Sequence, residues 1–353
     1  MSDRYEIESL IGKGRTGGVY EALDTVLHRK VALRRFYSEQ GDTDTSRWQD
    51  KFDYLTGYLS SLAHPNLATV YDAGIDDDGA YLTTEFAPHP TLDDRLLQGR
   101  LELDEFWAMA TDILEALAVP HARDFTHSGL TTKSIILHPR SRGDVRYRII
   151  DLGQAWLIPL INPDNPLLSL ADPAIMAPEL FEKHNPTPQT DVYMIGMLFY
   201  LALAGGHPFA GLPAEEAHER HLNHSLAPIT GYRTSVPPEI SDWLEILTQA
   251  DPKLRPQNAT EALNLLPLKS SINKAFFQTT TTSVPNFHST NPAQHFQNTQ
   301  APYRPITQVQ PVQPQQPQPG FVHQRPPSPP APQKRLASAD SSNSTLAVIL
   351  VVI

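Results

Sequence analysis

The chain is predicted to be an α+β protein of two lobes, a small β-rich lobe followed by a larger α-helical one, with a disordered tail behind them. Three observations predict this. The first hundred residues read mainly as short β-rich runs separated by glycines and polar turns. From Leu92 to Leu266 the apolar residues recur at helical spacing. After Leu268 periodicity stops, and thirteen of the 33 prolines fall between Pro285 and Pro332.

Tyr5–Ile11, Gly18–Leu23 and Lys30–Phe36 are the first three strands. Trp48–Leu62 carries Trp48, Phe52, Leu55, Leu59 and Leu62 at helical spacing. Ala68–Ala73 and Ala80–Phe86 follow as strands around the turn Asp76-Asp77-Asp78-Gly79. Leu103–Ala122 and Asp191–Ala204 are the long helices, and Asp242–Gln249 and Ala259–Leu266 are shorter ones. The small lobe is thus placed at about 1–87 and the large one at about 88–267.

Residues 268–345 are rich in Gln, Pro, Thr, Ser and Asn, and QVQPVQPQQPQP and RPPSPPAP read as extended linker. Such a composition cannot bury enough apolar surface to offset ordering entropy, but it suits protein partners with polyproline-binding grooves. The final eight residues, Leu346–Ile353, are all apolar. A membrane helix needs about 20 such residues. They are therefore either a short apolar end or the first turns of a membrane span that continues further. In the second case Lys334 and Arg335 lie on the cytoplasmic side, and the run is a membrane tether.

Net charge is −11, and the tail from Leu268 holds six Lys/Arg against one Asp, so the first 267 residues carry −16. That excess argues against nucleic acid as a partner, since phosphate neutralisation needs Lys and Arg. With no cysteine, disulfides and thiolate metal sites are excluded. The opening MSDRYEIESL has no apolar signal run, which suits a cytoplasmic domain.

IGKGRTGGVY places Gly12, Gly14, Gly17 and Val19 in a G-x-G-x-x-G-x-V pattern between two strands. Glycines in such a hairpin let backbone amides come close to phosphate groups. Val31-Ala32-Leu33-Arg34, Asp151-Leu152-Gly153 and Ala177-Pro178-Glu179 follow in that order. The ordered series resembles the protein kinases, above all the bacterial Ser/Thr kinases of eukaryotic type. YLTTEFAPHPTLDDRL resembles the family's hinge, with Thr84 as gatekeeper and Glu85 to Ala87 facing adenine. DPKLRP resembles the segment whose Arg255 pairs with Glu179. The resemblance spans about residues 4–267 and implies the two-lobed kinase fold. It also implies ATP with magnesium as cofactor, held by Gly12, Gly14, Gly17, Val19, Ala32, Arg34, Glu85, Ala87 and Asp151, with Asp151 on the metal.

The departures from the family cluster on chemistry. The strand-3 lysine is replaced by Arg34, and the helix-C glutamate aligns with Leu55. In ARDFTHSGLTTKSIIL, His127 matches the catalytic-loop histidine. Ser128 stands for its arginine, Gly129 for the proton-accepting aspartate, Thr131 for the lysine and Ser134 for the metal-binding asparagine. Ile135-Ile136-Leu137 fixes that register and leaves Asp124 in the turn before the loop, while Lys133 reads as a solvated loop lysine. Between Asp151 and Glu179 the one hydroxyl residue is Ser169, and Asp172 stands where a threonine is usual.

No catalytic residue is therefore intact. The resemblance implies a pseudokinase, a regulatory or scaffolding module in signalling that still binds ATP. Two alternatives stand beside it. One is an active Ser/Thr kinase with rearranged residues, Arg34, Lys133 or Asp124 compensating. The other is a nucleotide-free, membrane-tethered interaction platform.

Overall fold

The computed structural model describes residues 4–14, 17–36, 46–76, 79–140, 143–156 and 172–269, with backbone alone for 14 and 46–52. The tail from 270, its apolar end and Ser169 lie outside the described residues.

Five antiparallel strands form the first lobe: β1 (Tyr5–Gly14), β2 (Gly17–Asp24), β3 (Arg29–Phe36), β4 (Val70–Asp76) and β5 (Gly79–Glu85), in the order β1-β2-β3-β5-β4. Two bulges, between Ile7 and Ser9 and between Leu10 and Gly12, bend β1 against β2. The two-residue alternation sorts β3 cleanly. Val31 and Leu33 pack with Tyr5 and Ala22 on one side. Ala32 and Arg34 point to the other, where Phe36 joins the larger core with Leu82 and helix α1 (Ser46–Ser60). On that side Val19 lies opposite Arg34, and Ala32 lies opposite Thr84.

The second lobe is helical: α2 (Leu92–Leu96), α3 (Leu103–His121), α4 (Pro178–Phe181), α5 (Pro188–Ala204), α6 (Ala214–Leu222), α7 (Pro238–Leu247) and α8 (Ala259–Asn264). Helix α5 is buried on all sides from Thr190 to Leu203, as its unbroken apolar sequence requires. A Cβ on Gly196 would lie 2.8 Å from Leu247 Cβ, so glycine sets how closely α5 and α7 pack. The hairpin β6 (Ile135–Pro139) and β7 (Val145–Ile149) lies where the lobes meet. Ile149 exchanges 2.8 Å backbone bonds with Asn66 and Ala68, which fastens it to the segment before β4. Asp112 on α3 accepts from the Asn66 side chain, Arg140 and the Tyr147 amide, closing the same junction from below.

The predicted strands and long helices form within a few residues of their expected limits. The β6–β7 hairpin and α6 were not predicted as elements. Helix α7 begins at Pro238 instead of Asp242, because a proline at the first helical position gives up no hydrogen bond. Among the described residues no helix is long and apolar enough to cross a membrane.

Candidate functional site: the interlobe cleft

The cleft lies between the β-sheet and the segment His127–Gly153. Its floor is anchored by one buried carboxylate. Asp191, in the first turn of α5, accepts the backbone amides of His127 (2.6 Å) and Ser128 (2.7 Å) and the His121 imidazole (3.0 Å). The Ala259 amide donates to His121 Nδ1, so Nε2 carries the proton that Asp191 accepts. His127 donates from Nε2 to the Ile150 carbonyl at 2.9 Å, tying the loop to the strand that delivers Asp151. Ser128, at φ 55°, is fully buried, and its hydroxyl meets that of Thr126 at 2.6 Å.

The next positions carry the chemistry in the family, and here they are closed on themselves. Gly129 has no side chain. Ser134 accepts the Thr131 amide and donates to the Thr131 carbonyl, both at 2.8 Å, so its proton and one of its lone pairs are committed to its own turn. Lys133 is exposed. Asp124 is also exposed, at φ 53° in the turn after α3, where the sequence register puts it.

Asp151 takes a left-handed backbone, φ 68°, which an aspartate tolerates better than most residues. Its carboxylate accepts from Arg34 Nη2 at 2.8 Å. This ion pair spans the cleft from β3 to the second lobe, with the side chains 15% and 28% exposed. Arg34 Nε is buried with no partner. Leu55, at the helix-C glutamate position, packs in the main core with Leu59 and Leu62, so no carboxylate from that position competes for Arg34. Gly153 sits at φ 96°, and a Cβ there would come within 2.5 Å of Leu59 Cδ1. The left-handed backbone favours glycine there, and any larger residue would push the Leu59 side chain aside.

Two further contacts were not anticipated. Arg148 on β7 holds Glu85 bidentately, at 2.6 and 2.7 Å, and donates to the Leu67 carbonyl. This partner keeps the Glu85 carboxyl below its usual pKa. The Glu85 side chain therefore braces the hinge from behind, and only the backbone of Glu85–Ala87 is left to meet a base. The Phe125 ring packs against Tyr58 of α1 at 4.7 Å and stacks on Trp156 at 4.8 Å, which pins the start of the segment after Gly153. No spacing rule links any of these residues.

Beneath the cleft, Arg255 and Glu179 pair as expected, at 2.8 and 3.0 Å. The carbonyls of Gln249, Gln189 and Ala250 take the remaining Arg255 donors. Asp172 is a turn residue whose carboxylate accepts the Ala174 amide at 2.9 Å.

The side chains present do not make a divalent-metal site. The Asp151 carboxylate is held by a guanidinium, the Ser134 hydroxyl closes its own turn, and position 129 offers nothing. Among the described residues no three His, Cys, Asp or Glu gather as metal ligands. The arrangement puts the Arg34 guanidinium on the face of the sheet that carries Val19 and Ala32. It offers no group at position 129 to take a proton from an attacking hydroxyl.

The model of the protein kinase domain matches residues 5–265. The chain belongs to the protein kinase family. It is 28% identical over 261 residues to the serine/threonine-protein kinase PknA of Mycobacterium tuberculosis, covering 72% of this chain and 58% of PknA. It is 26% identical over 263 residues to the serine/threonine-protein kinase PrkC of Bacillus subtilis, covering 74% and 40%. The chain thus spans well under two thirds of the length of these relatives. Among solved structures it resembles Rad53 1-466 in complex with AMP-PNP, with a TM-score of 0.60 and 22% identity over 74% of this chain and 64% of that one. The kinase domain of Mycobacterium tuberculosis PknI gives a TM-score of 0.57 and 18% identity, covering 74% and 95%. These two likenesses establish a shared fold.

Proposed function

We propose that this kinase-family chain is a pseudokinase, a regulatory or scaffolding module that binds nucleotide and partners without transferring phosphate. The observation that carries the reading is the state of three positions at once. Gly129 supplies no base, the Ser134 hydroxyl is engaged in its own turn, and the Asp151 carboxylate is paired with Arg34. Loss of a general base alone costs about 100- to 10,000-fold in rate. Losing the charge arrangement on the phosphates costs more, because phosphoryl transfer depends mainly on positioning and electrostatic stabilisation. The glycine-rich hairpin, Val19, Ala32, Arg34 and the hinge backbone remain as the nucleotide-binding surface. In this reading the Pro/Gln-rich tail recruits protein partners.

The test is transfer of labelled γ-phosphate from MgATP to the chain itself and to a generic basic protein, with Asp151→Ala as control. The expected result is no incorporation above the control from cooperatively folding protein. Incorporation that vanishes in Asp151→Ala would make the chain a working Ser/Thr kinase, with Lys133 and Asp124 the next residues to replace.

A further inference from the structure

We infer that the cleft takes the phosphates of a nucleotide without a divalent cation, Arg34 standing where the cation would act. The inference rests on the reading that the cleft still binds nucleotide, and it specifies how.

A carboxylate and a triphosphate repel each other, and a metal ion between them is one way to reconcile them. A guanidinium is another. Asp151 already has its neutralising cation 2.8 Å away, in Arg34 Nη2. A divalent ion at the other carboxylate oxygen would sit beside that guanidinium and be repelled by its charge, and it would find no carboxylate or amide ligand at Ser134 or Gly129. Arg34, in contrast, has capacity to spare. A guanidinium carries five N–H donors in a rigid fork suited to phosphate oxygens. Here the Asp151 bond is its one hydrogen bond among the described residues, and Nε is buried without a partner. Leu55, buried in the core, leaves no glutamate to draw Arg34 away. Arg34 also lies directly across from Val19, one strand from the glycine-rich turn. A phosphate brought to that face of the sheet therefore meets a cation which is itself tied to the opposite lobe. Such a site gains little from magnesium.

The test measures affinity for ATP by calorimetry on the full chain, once in EDTA and once in excess magnesium, with adenosine as the ligand lacking phosphates. The expected dissociation constants for ATP in the two conditions lie within about threefold of each other, and adenosine binds about tenfold or more weakly. Arg34→Ala, first shown to melt cooperatively, is expected to weaken ATP binding in EDTA by about tenfold. Magnesium then restores part of the loss, because the Asp151 carboxylate has been freed. Arg34→Lys, which keeps a charge, falls between the two. ATP binding that needs magnesium in the unaltered chain overturns the inference, as does equal affinity for adenosine and ATP, or an Arg34→Ala variant that binds as before. Failure to bind ATP in either condition also overturns it. That result leaves the absence of phosphoryl transfer standing, since the labelled-phosphate assay reads it separately.

Discussion

The Arg255–Glu179 pair and the Arg34–Asp151 pair are both arginine–carboxylate contacts, and they are built in opposite ways. Arg255 is 2% exposed, bonds both oxygens of Glu179 and spends its other donors on three carbonyls. Its charge is fully met, and its guanidinium also lies 4.5 Å from the Tyr193 ring centre. Among the described residues Arg34 makes a single hydrogen bond, in a partly open cleft, and keeps a buried Nε unmatched. The first pair is an internal joint holding α4, α5 and the segment before α8 together. The second is a contact with unspent capacity. The difference separates positions that keep the family's pattern for the sake of the fold from positions whose family role is chemical. Asp191 belongs with the first group, since its carboxylate holds the cleft floor through backbone amides whatever side chains stand at 128 and 129.

The sharpest way to break this contrast is to remove Arg255. Arg255→Ala leaves a buried Glu179 carboxylate without its cation and three carbonyls without donors, and breaking such a pair costs about 3–5 kcal/mol. Urea unfolding of the variant measures it. A loss below about 1 kcal/mol would mean that the joint is no stronger than an exposed ion pair, and the contrast would fail.

A middle-sized effect comes from a neighbour of this joint. His221 on α6 is buried, accepts from the Tyr193 hydroxyl at Nδ1 (2.6 Å) and donates from Nε2 to the Pro173 carbonyl (2.9 Å). With both nitrogens committed to the neutral form, burial lowers its pKa to about 4. The unfolded chain binds this proton near pH 6.5 and the folded chain does not until about pH 4. Stability from this group is therefore complete above pH 6.5 and declines as pH falls towards 4, by about 1.4 kcal/mol per unit. His221→Gln is expected to flatten that part of the stability–pH curve by about one proton. An unchanged slope would show that the ring is already protonated, or exposed, in the folded protein.

How much of this the sequence disclosed depends on the range of the interaction. The glycine-rich hairpin, the alternation along β3 and the apolar α5 are local patterns, and each forms as its spacing predicts. The Arg255–Glu179 pair lies 76 residues apart and was reached through the family pattern, not through spacing. The Arg34–Asp151 bond, across 117 residues, was not foreseen, because family position assigns each residue to phosphate or metal and says nothing of their pairing when the glutamate is missing. Glu85–Arg148 stayed hidden for a related reason. Val145 to Ile149 alternate apolar and polar as a strand does, but that alternation assigns Arg148 to the polar face and does not show that it is buried or that Glu85 is its partner. Helix α6 escaped because it buries only Ala217 and His221, too few to mark a face.

The smallest effect is the most discriminating, because the same substitution is made at both arginines. Lysine keeps the charge but supplies three donors from one point instead of five from a plane. At position 255 it can meet Glu179 or some of the carbonyls, not all, and each buried acceptor left unmet costs about 1–3 kcal/mol. At position 34 it has one bond to replace, and it does away with the unmatched Nε of the arginine. Arg34→Lys is therefore expected to change stability by less than about 0.5 kcal/mol, while Arg255→Lys costs about 2 kcal/mol or more. Equal costs at the two sites would mean that Arg34 is as firmly built in as Arg255. An arginine so held would have no donors left to offer a phosphate.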